Sequence, residues 1–188
     1  MVRKIFGSTH IPHNQKTECF AALAKLDSSD MLKRTEVYCA AATPTLEAKR
    51  AAFLKLFTSD DQEGAEPMSL QEMQETCRGF CQFGQRDLIA TFSDDFFERI
   101  ENCVNTRSWS TTRYIYHFLA PGMKATQQEL DKFNALLTKL QAYGEAEKKE
   151  GTGRLIKWLK DSIKEIQEKR AGRELSQTWE DNQRPALI

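Results

Sequence analysis

The chain has only three histidines, His10, His13 and His117. None stands in the H-E-x-x-H arrangement by which a helix offers two imidazoles to zinc and a glutamate to the attacking water. The stretch "HIPH" interposes Pro12 between the first two, and two histidines with no ligand beside them do not make a metal site. Valine is scarce and alternating apolar runs are missing, which removes the usual strand signals. With no strand there is no strand-to-helix glycine loop to cradle a phosphate. Net charge is missing too: 27 Lys and Arg balance 27 Asp and Glu, so no overall field steers nucleic acid or an anionic membrane toward the chain. No apolar run approaches the roughly 20 residues of a membrane span, and "MVRKIFGSTHIPHN" has no apolar core after its basic start. The expectation is a soluble, cytoplasmic protein with neither nucleic acid nor membrane as partner.

What the chain does have is helix-forming composition. Ala, Leu, Lys, Glu and Gln fill the long segments. Apolar residues make up 40% and charged residues 29% of the 188, enough to fold one core or a row of packed helix pairs. The five cysteines, an odd number without the density of a secreted scaffold, read as reduced thiols. The prediction is an all-α chain: a mobile segment over 1–13, then a single helical domain over 14–188.

Helix boundaries can be read from capping chemistry. A first helix is expected from about Asn14 to Leu26 and a second from about Ser29 to Ala42, making a short-looped hairpin. Thr43 with Pro44 in the first turn is read as the start of the third. The stretch "TSDDQEGAEP" breaks the pattern as an exposed loop. Ser69 with Glu72, and Thr126 with Glu129, have the spacing of capping boxes. Ser93 starts a helix with Phe96, Phe97, Ile100, Cys103 and Val104 on one face. Pro121 and Gly122 end the next helix. The last helix buries Leu155, Trp158, Leu159, Ile163 and Ile166, while its many Lys, Arg and Glu form a solvated face. About eight helices in antiparallel pairs result, without a fixed-period repeat.

Two constellations could carry chemistry. Cys77 and Cys81 lie four apart, hence on one helix face, and a triad of Cys81 with His117 and an Asp can be drawn. Nothing beyond composition supports it, and free thiols in helices are more often small buried apolar groups. The second is "FCQFGQRDLIATFSDDFF", residues 80–97, where a polar knot interrupts two aromatic runs. It reads as a corner: Gly84 ends a helix in a left-handed conformation, Asp87 bonds local amides, and Arg86 satisfies carbonyls.

This segment resembles the C-terminal helical domain of the aminopeptidase N family of zinc metalloproteases, which the endoplasmic-reticulum aminopeptidases share. The resemblance rests on Phe80, Gln82, Gln85, Asp87, Leu88, Phe96 and Phe97. Upstream, "ECFAALAKLDSSDMLKRTEVYCAAATPTLEAKRAAFLKLF" is similar to that domain's small-residue helices, with Pro44, Ala48 and Lys49 at its Pro, Ala and Lys positions. "RSWS" and "GRLIKWLKDSIKEIQEKRAGRE" fall where its later helices do. Phe92 and Phe96 stand where Tyr is usual, Val104 where Trp is common, and "FLAP" only echoes a Leu-Phe-Pro motif.

The resemblance implies an array of helix pairs, akin to irregular HEAT or armadillo repeats. Such a domain covers a zinc-bearing catalytic domain and encloses the peptide substrate. No catalytic or metal residue is then expected in this chain, and the zinc belongs to the catalytic domain, its implied partner. Arg86, with a guanidinium suited to bidentate contact, is the residue selected to meet a substrate carboxylate. The rival expectation is a stand-alone helical-repeat adaptor that binds a protein partner.

Overall fold

A computed structural model describes residues 2–58, 68–122, 124–143 and 151–183. Among these the chain is all-α, with ten α-helices and one short 3-10 turn. They are α1 (Val2–Gly7), α2 (His13–Ala24), α3 (Asp30–Ala42), α4 (Leu46–Phe57), α5 (Leu70–Phe80), α6 (Arg86–Ala90), α7 (Ser93–Thr106), α8 (Trp109–Leu119), α9 (Gln127–Gln141) and α10 (Thr152–Gln183). The 3-10 turn Phe83–Gln85 lies between α5 and α6. Most of the loop expected at "TSDDQEGAEP", and residues 144–150 of "GEAEKKEGTG", lie outside the described residues.

The chain divides into two compact units, Met1–Ala120 and Pro121–Ile188, where one unit is expected from sequence. Within the first, α3 and α5 pack most extensively, and α4 lies against both. One ammonium, that of Lys49, donates to carbonyls in the last turns of α3 and α5. The two helices therefore end at the same place and run parallel, while α4 returns between them after a three-residue link. Alternate helices running parallel with an antiparallel one between is a helical-repeat arrangement.

Gly79 permits the close approach of α3 to α5, because a Cβ there would overlap the Tyr38 carbonyl oxygen and crowd Ala41. The core then runs through Phe53, Phe80, Phe92 and Phe96. Phe53 meets Phe92 at 5.2 Å and Phe80 at 6.1 Å between ring centroids. These contacts lock α4, the end of α5 and the start of α7 to one another, as aromatic pairs at such separations do.

Val2–Gly7, inside the segment read as mobile, forms α1. It buries Phe6 against Cys39, Ala42 and Phe20. Arg3 holds it to α5 through Glu75 at 2.6 Å, and its guanidinium lies 5.0 Å from the centroid of the Tyr38 ring. Lys16 of α2, only 2% exposed, donates to the Phe6 and Ser8 carbonyls at 3.0 and 2.6 Å. It satisfies acceptors that the end of α1 leaves over.

Both expected capping boxes form, at Ser69 with Glu72 and at Thr126 with Glu129. Helix α4 starts differently. Thr45, whose hydroxyl accepts from the Ala48 amide, is its N-cap, and Thr43 closes α3 with its hydroxyl on the Cys39 carbonyl. Pro44 thus lies between the helices rather than in a first turn. On α4 the buried stripe is Lys49, Ala52, Phe53 and Leu56, with Leu54 44% exposed. On α7, Phe96, Ile100 and Cys103 are buried while Phe97 and Val104 are half-buried.

In the second unit α9 packs on α10. The buried apolar residues are Leu130, Phe133, Leu136 and Leu140 from α9, and Leu155, Leu159, Ile163 and Ile166 from α10; Trp158 is half-buried. Gly122 takes φ of +131°, a left-handed conformation in the turn that follows α8. Ala171 through Thr178 are exposed throughout. That is the solvated face expected of a charge-rich helix, with Glu165 and Lys169 paired at 2.7 Å.

Candidate functional site

The sequence segment 80–97 folds as a junction where three helices end. Helices α1, α3 and α5 stop at Gly7, Ala42 and Phe80, and each helix end leaves carbonyls without intrahelical donors. Two side chains gather them. Lys49 Nζ donates to Ala41 O at 2.7 Å, Phe80 O at 2.8 Å and Gly79 O at 3.1 Å. Gln85 Nε2 donates to Gly7 O at 2.8 Å and Ala42 O at 2.9 Å. A second amide, Gln82 Nε2, donates to Tyr38 Oη at 3.0 Å and to the Arg78 carbonyl at 2.8 Å.

Lys49 is wholly buried. Its charge meets the partial negative ends of two helix dipoles, with its nitrogen 5.3 Å from the centroid of the Phe80 ring. Burial pulls its pKa down to about 7, with the neighbouring Cys81 acting the other way. Three carbonyls at hydrogen-bond distance favour the ammonium, which has three donors, over the neutral amine, which has two. The oxygen of Gln85 is buried without a partner among the described atoms, so the amide is held by its donor side alone.

The structure brings Phe80, Gln82, Gln85 and Phe96 together at or beside this junction, with Phe80 and Phe96 fully buried. Phe96 touches Phe97 and Tyr116 at 5.5 and 6.0 Å. Arg86 and Asp87 occupy the first turn of α6 and are exposed, and Leu88 is half-buried. Gly84 does not adopt a left-handed conformation. Helix α5 ends at Phe80 with Cys81 as its C-cap, and Gly84 sits inside the 3-10 turn with open space where a Cβ would go. Conformational freedom is not what places a glycine there.

The thiols of Cys39, Cys77, Cys81 and Cys103 are held neutral. Burial raises Cys39 and Cys103 to about 11, Cys81 to about 12, and Cys77 further. The Cys81 thiol donates to the Phe118 carbonyl, while His117 lies exposed on α8 with its pKa lowered by partial burial and by Arg113. A thiol nucleophile needs a lowered pKa, and these shifts go the opposite way. Among the described residues no three of His, Cys, Asp and Glu gather in a way that could hold a metal.

Sequence reasoning missed the part played by Lys49 and Lys16. The available signal is positional: Lys49 precedes Ala52, Phe53 and Leu56 by three, four and seven residues, the spacing of a buried stripe. A lysine in such a stripe belongs with buried acceptors.

A second feature is a cavity of about 520 Å³ between α3 and α4, walled by Val37, Ala41, Ala48 and Ala52 with Glu36 and Lys55 among its polar residues.

No protein-family model matches the chain. Over 117 residues, 62% of its length, it is 30% identical to Aminopeptidase N of Streptomyces lividans, and the match covers 13% of that protein. The chain is therefore similar to part of an aminopeptidase N, at the level of a limited stretch.

Proposed function

We propose that this chain is the non-catalytic C-terminal helical domain of a zinc-dependent aminopeptidase, an enzyme that removes N-terminal residues from peptides. The observation that carries the reading is the 30% identity to a stretch of an aminopeptidase N. The residues of the 80–97 segment that resemble the family support it, because several of them build the junction that holds α1, α3 and α5 together. The partner is the catalytic domain, which supplies the zinc and the base; the helical array covers that domain and encloses the peptide. Arg86, exposed on α6, is the residue proposed to meet a peptide carboxylate. The setting is cytoplasmic.

The division of labour has a physical logic. A peptide trimmed from its amino end needs its remaining length housed, and packed helix pairs offer an extended surface for it. Covering the catalytic face also keeps bulk water from the reaction. Sequencing the reading frame upstream of Met1 tests the proposal: an in-frame H-E-x-x-H supports it, and a stop codon directly before an initiating Met1 would contradict it and favour a stand-alone adaptor.

A further inference from the structure

The cavity between α3 and α4 is not used by the junction. It exists because both facing surfaces carry alanine where larger residues would interdigitate. Its volume of about 520 Å³ lies within the range of small-ligand pockets, roughly 300 to 1,000 Å³. Ala41 and Ala52 are buried in its wall, and Val37 and Ala48 are half-buried.

Glu36 on α3 and Lys55 on α4, the helices that form its two sides, are exposed and opposite in charge. Among the described residues neither makes a hydrogen bond or ion pair. An apolar interior rimmed by Glu36 and Lys55, with His13 also in the lining and Glu72 near enough to feel the Lys55 charge, is complementary to an apolar body that itself carries both charges. A plain hydrocarbon would leave both charges unused, and a singly charged ligand would leave one.

We propose that this cavity binds a small zwitterion with an apolar body, of which an apolar α-amino acid is the simplest. The ammonium of the ligand meets Glu36, its carboxylate meets Lys55, and its side chain covers the alanines. The inference does not depend on the aminopeptidase reading. If that reading holds, the ligand belongs to the chemical class such an enzyme releases, and occupancy would report product.

Titration of the full chain with L-phenylalanine, followed by alanine-methyl NMR, tests the proposal. The methyls of Ala40, Ala48 and Ala51 shift and saturate, with affinity in the millimolar range, about 4 kcal/mol of binding. Glu36→Gln and Lys55→Gln each weaken binding about threefold to fivefold, the scale of one exposed ion pair. N-acetyl-phenylalaninamide, which lacks both charges, binds at least about tenfold more weakly by the same arithmetic. Ala48→Leu, checked for folding by circular dichroism, fills the cavity and abolishes the shifts. No saturable shift of those methyls, or equal affinity for the uncharged analogue, would overturn it.

Discussion

The residue with most at stake is Lys49. Replacing it with Met keeps the stem and deletes the charge, leaving the carbonyls of Ala41 and Gly79 buried without that donor and the Phe80 carbonyl with the Gln82 amide alone. One unsatisfied buried acceptor costs about 1 to 3 kcal/mol. Lys49→Met should therefore lose about 3 kcal/mol in urea unfolding, whereas Lys160→Met on the exposed face of α10 stays within about 0.5 kcal/mol. Equal losses would show that the junction does not depend on the ammonium. The cysteines give a second residue-scale prediction. At pH 8 native protein should react with iodoacetamide at exposed Cys19, and Cys39, Cys77 and Cys103 should react only after denaturation. Their raised pKa values also set a sign for stability. A thiol that holds its proton in the fold but loses it near pH 9 when unfolded stabilises the native state below pH 9. That contribution fades as pH rises toward about 11. Midpoints of thermal unfolding should fall across that window, and substituting Cys39 and Cys103 by Ala should shrink the fall.

At the scale of elements, the packing of α3 on α5 depends on a missing side chain. Gly79→Ala sets a methyl against the Tyr38 carbonyl, a backbone group that cannot swing aside. It should lower stability by about 2 kcal/mol, within the usual range for overpacking. Gly84→Ala meets open space and has no left-handed backbone to oppose it, so its effect in the same unfolding experiment should be within about 0.5 kcal/mol. A large loss at Gly84 would restore the reading of that residue as a left-handed helix terminator. The contrast shows what sequence makes legible. Ser69 with Glu72, and Thr126 with Glu129, could be read directly, because a capping box is a local bargain struck over four residues. The cap of α4 could not: sequence points to Thr43 and the structure uses Thr45, since both flank Pro44 and the choice depends on where α3 ends. Gly79 was illegible for a different reason: its neighbour is Tyr38, 41 positions away, and helical periodicity carries no information about which helix lies opposite. Lys49 and Gln85 are the same case, because their partners are carbonyls, which every residue possesses.

For the whole molecule, helix content and pairing followed from composition and periodicity. The division into units at Ala120 and Pro121 did not, because the turn at Pro121 and Gly122 looks like any other helix stop. The proposed role rests on a relative matched over 13% of its length and on a junction built from carbonyl-gathering side chains and neutral thiols. Such a junction positions helices. The most direct measurement is therefore turnover: the purified chain is supplied with zinc and fluorogenic aminoacyl amides of leucine, alanine and arginine. The account predicts release of fluorophore at the rate of buffer alone, unchanged by 1,10-phenanthroline. Robust release abolished by the chelator, and retained through repurification, would contradict it.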